Sequence, residues 1–187
     1  MAGKLGMGLL ETLLENLDRD LNLADTTLTN PTITTSAYAT FTGGLQVTHA
    51  ALTPAASVTL TRADHAGRLL TIASTATSND EYVIPVATSV GESYRFVWSG
   101  VAVDTEDILF VAPSADALSF EGGILDFKTD EAGAAMQIMV YPGADDDKVQ
   151  ITNVQGFDLT FTALSTTNYN ITGWVMSTDT QTVFGDI

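Results

Sequence analysis

Residues 93–112 read SYRFVWSGVAVDTEDILFVA, and the order of apolar side chains in this stretch decides the fold class. Tyr94, Phe96 and Trp98 recur at period two, which places three aromatic rings on one face of a strand. After the acidic turn at Asp104, Glu106 and Asp107, Ile108 and Phe110 share one face while Leu109 and Val111 take the other. The alternation at period two, with turn chemistry between the segments, is the pattern of strands. Both segments are strands.

The same reading extends in both directions. Upstream lie SVTLT (57–61), RLLTIAS (68–74) and EYVIPVA (81–87). Downstream, ALSF, the turn Glu121-Gly122-Gly123 and ILDF predict a hairpin across 117–127. AMQIMVY sets Met136, Ile138 and Val140 on one face and stops at Pro142-Gly143. KVQITNV and FDLTFTAL follow, the latter aligning Phe157, Leu159 and Phe161, and YNITGWVM is the last expected strand. About ten short strands separated by turns predict an all-β domain over residues 54–187, a β-sandwich or jelly roll.

Composition agrees. The chain has 187 residues, of which 28 are Thr, a β-branched residue suited to the half-solvated surface of a sheet. Its 23 acidic residues against 7 basic ones give a net charge of −16. Seven scattered cations cannot neutralise a run of phosphates, so no nucleic-acid partner is expected. The absence of cysteine excludes disulfides and thiolate-bound zinc, and two histidines make no histidine-rich metal centre. No cofactor is expected. No run of eighteen apolar residues spans a membrane, and the first twenty residues are too acidic for a secretory signal.

Two segments precede the sandwich. In residues 1–25, Leu10, Leu13, Leu14, Leu17 and Leu21 recur at helical spacing, opposite Glu11, Glu15 and Asp18. The pattern predicts an amphipathic helix of roughly four turns whose leucine stripe needs a protein surface to cover it. Its acidic polar face speaks against a membrane surface. Residues 26–53 are threonine-rich and nearly uncharged, which predicts an extended arm with one or two short strands.

One turn is specific. In Thr61-Arg62-Ala63-Asp64-His65-Ala66-Gly67, Thr61 caps a single helical turn, Asp64 returns the bond, and Gly67 supplies a left-handed exit into the next strand, with His65 exposed.

Candidate chemistry is sparse. Asp145-Asp146-Asp147 could hold Ca²⁺, but it lacks the Asp-x-Asp-x-Asp-Gly spacing and reads more simply as a solvated turn, as do Asp104, Glu106 and Asp107, while Asp130-Glu131 reads as a hairpin tip. There is no cysteine nucleophile and no Gly-x-Ser-x-Gly, and neither His49 in the arm nor His65 in the capped turn has the setting of a buried base. No enzymatic activity is expected. Tyr94, Trp98 and Trp174 could form a sugar platform, but their alternation with apolar neighbours assigns them to the core. Asn170-Ile171-Thr172 fits a glycosylation sequon and is read as chance.

The stretches TLTRADHAGRLLTI, EYVIPVATSVGESYRFVW and FDLTFTALSTTNYNITGWVM together resemble a β-rich domain of tailed-bacteriophage virion proteins over about residues 58–176. The shared pattern is Leu-Thr-x-x-Asp-x-x-Gly before a strand, an Ile-Pro strand, Gly-x-x-Tyr-x-Phe-Val, and a closing strand with Gly-Trp. One departure is that Asn170 and Gly173 are separated by Ile171-Thr172, where the family often has an adjacent turn pair. The resemblance implies an assembly role, brings no catalytic residues and does not choose between head and tail. The leading expectation is a head decoration (cement) protein on the outer surface of the virion capsid, bound to the major capsid protein and homo-oligomeric, with a homotrimer favoured. On that reading Leu10, Leu13, Leu14, Leu17 and Leu21 are capsid or inter-subunit contacts. The alternative is a receptor- or carbohydrate-binding module of a tail or head fibre.

Overall fold

The computed structural model of the chain describes residues 47–73, 79–100, 106–129, 136–140, 146–178 and 184–187. The leucine-striped segment of residues 1–25 and nearly all of the arm lie outside the described residues, as do Asp104, Asp130, Glu131 and Asp145.

Twelve strands and one helical turn are described. The first half of the domain contains β1 (His49–Leu52), β2 (Val58–Thr59), α1 (Arg62–His65), β3 (Leu69–Ile72), β4 (Asp80–Val83), β5 (Ser93–Trp98) and β6 (Ile108–Val111). The second half contains β7 (Ser119–Lys128), β8 (Met136–Val140), β9 (Lys148–Ile151), β10 (Val154–Ala163), β11 (Asn168–Ser177) and β12 (Phe184–Gly185). The all-β expectation holds, and the sheet already begins at His49, inside the stretch expected to be arm.

The strands form a seven-stranded sheet, β1-β3-β5-β10-β11-β7-β8, and a five-stranded one, β12-β9-β6-β4-β2. From β1 to β6 successive strands alternate between the two sheets. The chain thus re-enters each sheet in the direction it had before, and the ladders β1/β3, β3/β5, β2/β4 and β4/β6 are all parallel. The first half is therefore a flattened coil. After it the chain doubles back through antiparallel ladders such as β5/β10, β10/β11 and β7/β8, while β7 and β11 run parallel. A jelly roll is built on antiparallel Greek keys, and these mixed ladders follow a different winding.

Aromatic side chains join the two sheets. Phe110 of the smaller sheet has ring centroids of Phe96, Phe161 and Phe157 at 4.6, 5.2 and 6.2 Å, all from the larger sheet. Tyr82 adds a ring at 5.8 Å from its own sheet. The period-two aromatics expected on one face are thus largely core: Tyr94 and Phe96 are fully buried and Trp98 is half-buried against Phe157. Each such ring withdraws apolar surface worth about 1.5–3 kcal/mol from water.

Two local expectations meet different outcomes. Thr61 caps α1 as expected: its hydroxyl accepts from the Asp64 N–H at 3.3 Å and donates to the Asp64 carboxylate at 2.7 Å. Gly67 leaves the turn at φ 68°. His65 is half-buried rather than exposed, because its Nδ1 accepts from the Thr61 N–H at 2.9 Å. The hairpin at Glu121-Gly122-Gly123 is absent. Those residues lie inside the unbroken ten-residue β7. Gly122 sits there at φ 116° because β11 passes so close that a Cβ would overlap the Ile171 carbonyl.

Candidate functional site

The outer face of the larger sheet carries the most distinctive surface among the described residues. In β11 the buried side chains are Tyr169, Ile171, Val175 and Ser177, so Asn170, Thr172, Trp174 and Met176 point outward. The parallel register sets Trp174 opposite Leu125 and Met176 opposite Phe127. The antiparallel register of β7 with β8 then sets Leu125 opposite Ile138, Phe127 opposite Met136, and Gly123 opposite Val140. Two apolar rows therefore cross three adjacent strands on the solvent side, Trp174–Leu125–Ile138 and Met176–Phe127–Met136.

Their exposure is high for large apolar side chains. Trp174 is 36% exposed, and Met136, Ile138 and Val140 are 61%, 64% and 64% exposed. Phe127, Trp174 and Met176 line a shallow depression of about 370 Å³ on this face. Gly156 in β10 leaves room for the indole, which lies 3.4 Å from where a Cβ would stand. Trp174 was expected in the core with Tyr94 and Trp98. It lies outside because its parity in β11 is that of Asn170 and Thr172.

The strand β7 inverts the usual division of residue types. Leu125 and Phe127 face solvent while Asp126 between them is fully buried. Burial raises the Asp126 carboxyl above its ordinary value, partly countered by a hydrogen bond from Ser177 Oγ at 3.1 Å and by the charge of Lys128. Phe120 and Ile124 of the same strand are buried in the core, so its C-terminal part carries apolar side chains on both faces.

The patch ends at β10 and β5. There Arg95 grips Asp158 in a two-pronged pair, Nε to Oδ1 at 2.9 Å and Nη2 to Oδ2 at 2.6 Å, beside Thr160 and Thr162. That bond to Asp158 raises the Arg95 value further. The charged pair adjoins Trp174, which stands opposite Asp158 in the β10/β11 ladder.

No family model, curated protein or solved structure matches this chain. The patch therefore has to be read from its own chemistry.

The residues singled out from sequence fare variously. Leu10, Leu13, Leu14, Leu17 and Leu21 lie outside the described residues. Asp146 and Asp147, expected in a solvated turn, are buried. Asp147 is held inside by accepting from the N–H groups of Ile187 at 2.8 Å and Asp116 at 3.2 Å, so it fastens the chain end to the loop before β7. Among the described residues no group of three or more His, Asp or Glu side chains is placed to hold a metal ion. His49 bonds Thr71 through Nε2 at 2.8 Å.

An open depression of about 560 Å³ lies between α1 and the loop before β5. Its one carboxylate is already occupied. Burial would raise Glu92, but hydrogen bonds from Tyr94 Oη and Arg62 Nε, each at 2.7 Å, outweigh it together with the Thr88 N–H and the Arg62 charge, and hold the carboxyl below its ordinary value. Burial and the Glu92 bond in turn push the Tyr94 phenol far above its ordinary range. This is a clasp between the helical turn and the sheet, and none of its groups is left poised to move a proton.

Proposed function

We propose that this chain is an assembly protein of a tailed-phage-like virion, a decoration protein that binds the assembled shell from outside and stabilises it. The observation that carries the reading is the pair of outward apolar rows Trp174–Leu125–Ile138 and Met176–Phe127–Met136 on a chain of net charge −16. Patches of this kind mark protein–protein contacts, and the surrounding acidity keeps the molecule soluble until it meets its partner. The partner in this reading is the major capsid protein, and the leucine stripe of residues 10–21 is a second contact along it. The mechanism is mass action: a ligand bound only by the assembled lattice raises the stability of that lattice.

Counting copies in purified particles encoded by the same genome tests this directly. Decoration of a symmetric shell requires on the order of hundreds of copies per particle. Its absence from particles, or presence in only a few copies, would reject the reading.

A second reading rests on Trp174 and Phe127 standing side by side at the surface. An exposed indole beside a phenyl ring can stack on a sugar ring, as a carbohydrate- or receptor-binding fibre module would require. Quenching or shift of Trp174 fluorescence by host-surface glycans would support it. Trp98 is half-buried in the core, so a Trp98→Phe background isolates the signal.

A further inference from the structure

We propose that the outer edge of β8, terminal in its sheet among the described residues, pairs, antiparallel and about a two-fold axis at Ile138, with β8 of a second copy of this chain. The claim concerns the edge of the sheet, not its face, and stands independently of the decoration reading.

The two sheets have four terminal strands, and three are poor templates. β2 and β12 are two residues long, and β1 has four, of which His49 is tied to Thr71. β8 offers five residues, Met136-Gln137-Ile138-Met139-Val140, with no charge, proline or bulge. Edge strands of solitary domains normally carry such protection, because an unguarded edge recruits another strand. Among the described residues nothing pairs with the outer edge of β8.

The occupant follows from parity and charge. In an antiparallel ladder, residues directly opposite point to the same face. Met136, Ile138 and Val140 point outward while Met139 packs against the core, so two copies with matching faces must pair residues of equal parity. The axis then falls on a residue, and full overlap of five residues puts it at Ile138. Met136 lies opposite Val140, Gln137 opposite Met139, and Ile138 opposite its own copy. Every pair is uncharged. A second copy is itself strongly acidic, so it is repelled from most of this surface and tolerated at this neutral edge. The pairing also fuses two apolar faces into one continuous sheet surface.

Five paired residues bury less than the roughly 1,200 Å² of a stable specific interface. The dimer is therefore concentration-dependent in solution. Its order is two, in place of the three favoured from the family resemblance.

The chain has no cysteine, which makes the test clean. In a two-fold ladder the Cα atoms of Ile138 and its mate stand roughly 4.5–5.5 Å apart, within disulfide reach. Ile138→Cys in the full chain should oxidise to a covalent dimer at least about ten-fold faster than Gln137→Cys or Val90→Cys, because pairing raises the local thiol concentration. Val90 sits on an exposed loop before β5, a strand four positions from β8 in the order of the sheet. Sedimentation of the cysteine-free chain should show a reversible monomer–dimer equilibrium that Ile138→Lys abolishes. Equal oxidation rates at the three positions would overturn the pairing, as would a monomer or a trimer at every concentration. If Ile138→Lys fails to fold, the cysteine comparison decides alone.

Discussion

Trp174 stands directly opposite Leu125 in the parallel ladder between β11 and β7, and both side chains face solvent. Elsewhere on the same face the sheet carries Thr71, Thr160 and Thr162, which serve a solvated strand without apolar exposure. Replacing the pair by threonine should therefore change folding stability by less than about 1 kcal/mol. Phe110→Ala, which empties the junction of the two sheets, should cost about 3–5 kcal/mol. Chemical denaturation of the three proteins checks both. A loss of several kcal/mol in the threonine variant would mean that the patch serves the fold and not a partner.

Gly173 should tolerate no side chain. It lies at φ 140°, and a Cβ there would overlap the Asp158 carbonyl of the neighbouring strand β10. Gly173→Ala is expected to lower stability by more than about 2 kcal/mol, through strain and a forced separation of β10 from β11. Gly91→Ala is the control, since it shares a positive φ but meets nothing within 4 Å. Thermal melts of the two should differ, with Gly173→Ala the lower.

Much of this was legible in the sequence. Period-two alternation finds the strands, as at Tyr94 and Phe96, and Thr61 with Gly67 announces its own turn. Strand direction was not legible, because alternation is the same for parallel and antiparallel ladders and the coil of β1 to β6 is set by which sheet each connection reaches. Gly122-Gly123 imitates a hairpin for a related reason. Glycine is needed there by a neighbouring strand, and a local window sees only a turn residue. The surface patch is hidden from alternation alone, which gives the same pattern whichever row faces the core. The signal that could have found it is parity: Trp174 shares its face with Asn170 and Thr172, and Leu125 and Phe127 share theirs with Glu121.

Glu92 should make the fold acid-sensitive. Its carboxyl is lowered in the folded chain, so the clasp to Tyr94 and Arg62 contributes fully above the ordinary value of 4.5 and is lost as pH falls through the lowered folded value. Glu92→Gln should be less stable than the parent at pH 7, and the gap should close on acidification below 4.5. Melting temperatures of both proteins across that range test it, and a gap independent of pH would contradict the clasp.

Asp126 has the opposite sign. Its carboxyl is raised by burial, so its protonated form suits the fold and stability is lost as pH climbs from the ordinary value of 3.8 through the folded one. Asp126→Asn should gain stability over the parent at neutral pH and show no gain below 3.8. A variant less stable at pH 7 would show that the buried charge is needed.

On the decoration proposal, the outer face of β7, β8 and β11 is the contact surface for an assembled shell. Co-sedimentation with empty shells of the same virion tests it most directly, comparing the full chain with a Phe127→Ser, Trp174→Ser variant shown by circular dichroism to be folded. The parent should pellet with the shells while the variant stays in the supernatant. Equal pelleting of both proteins, or of neither, would contradict it.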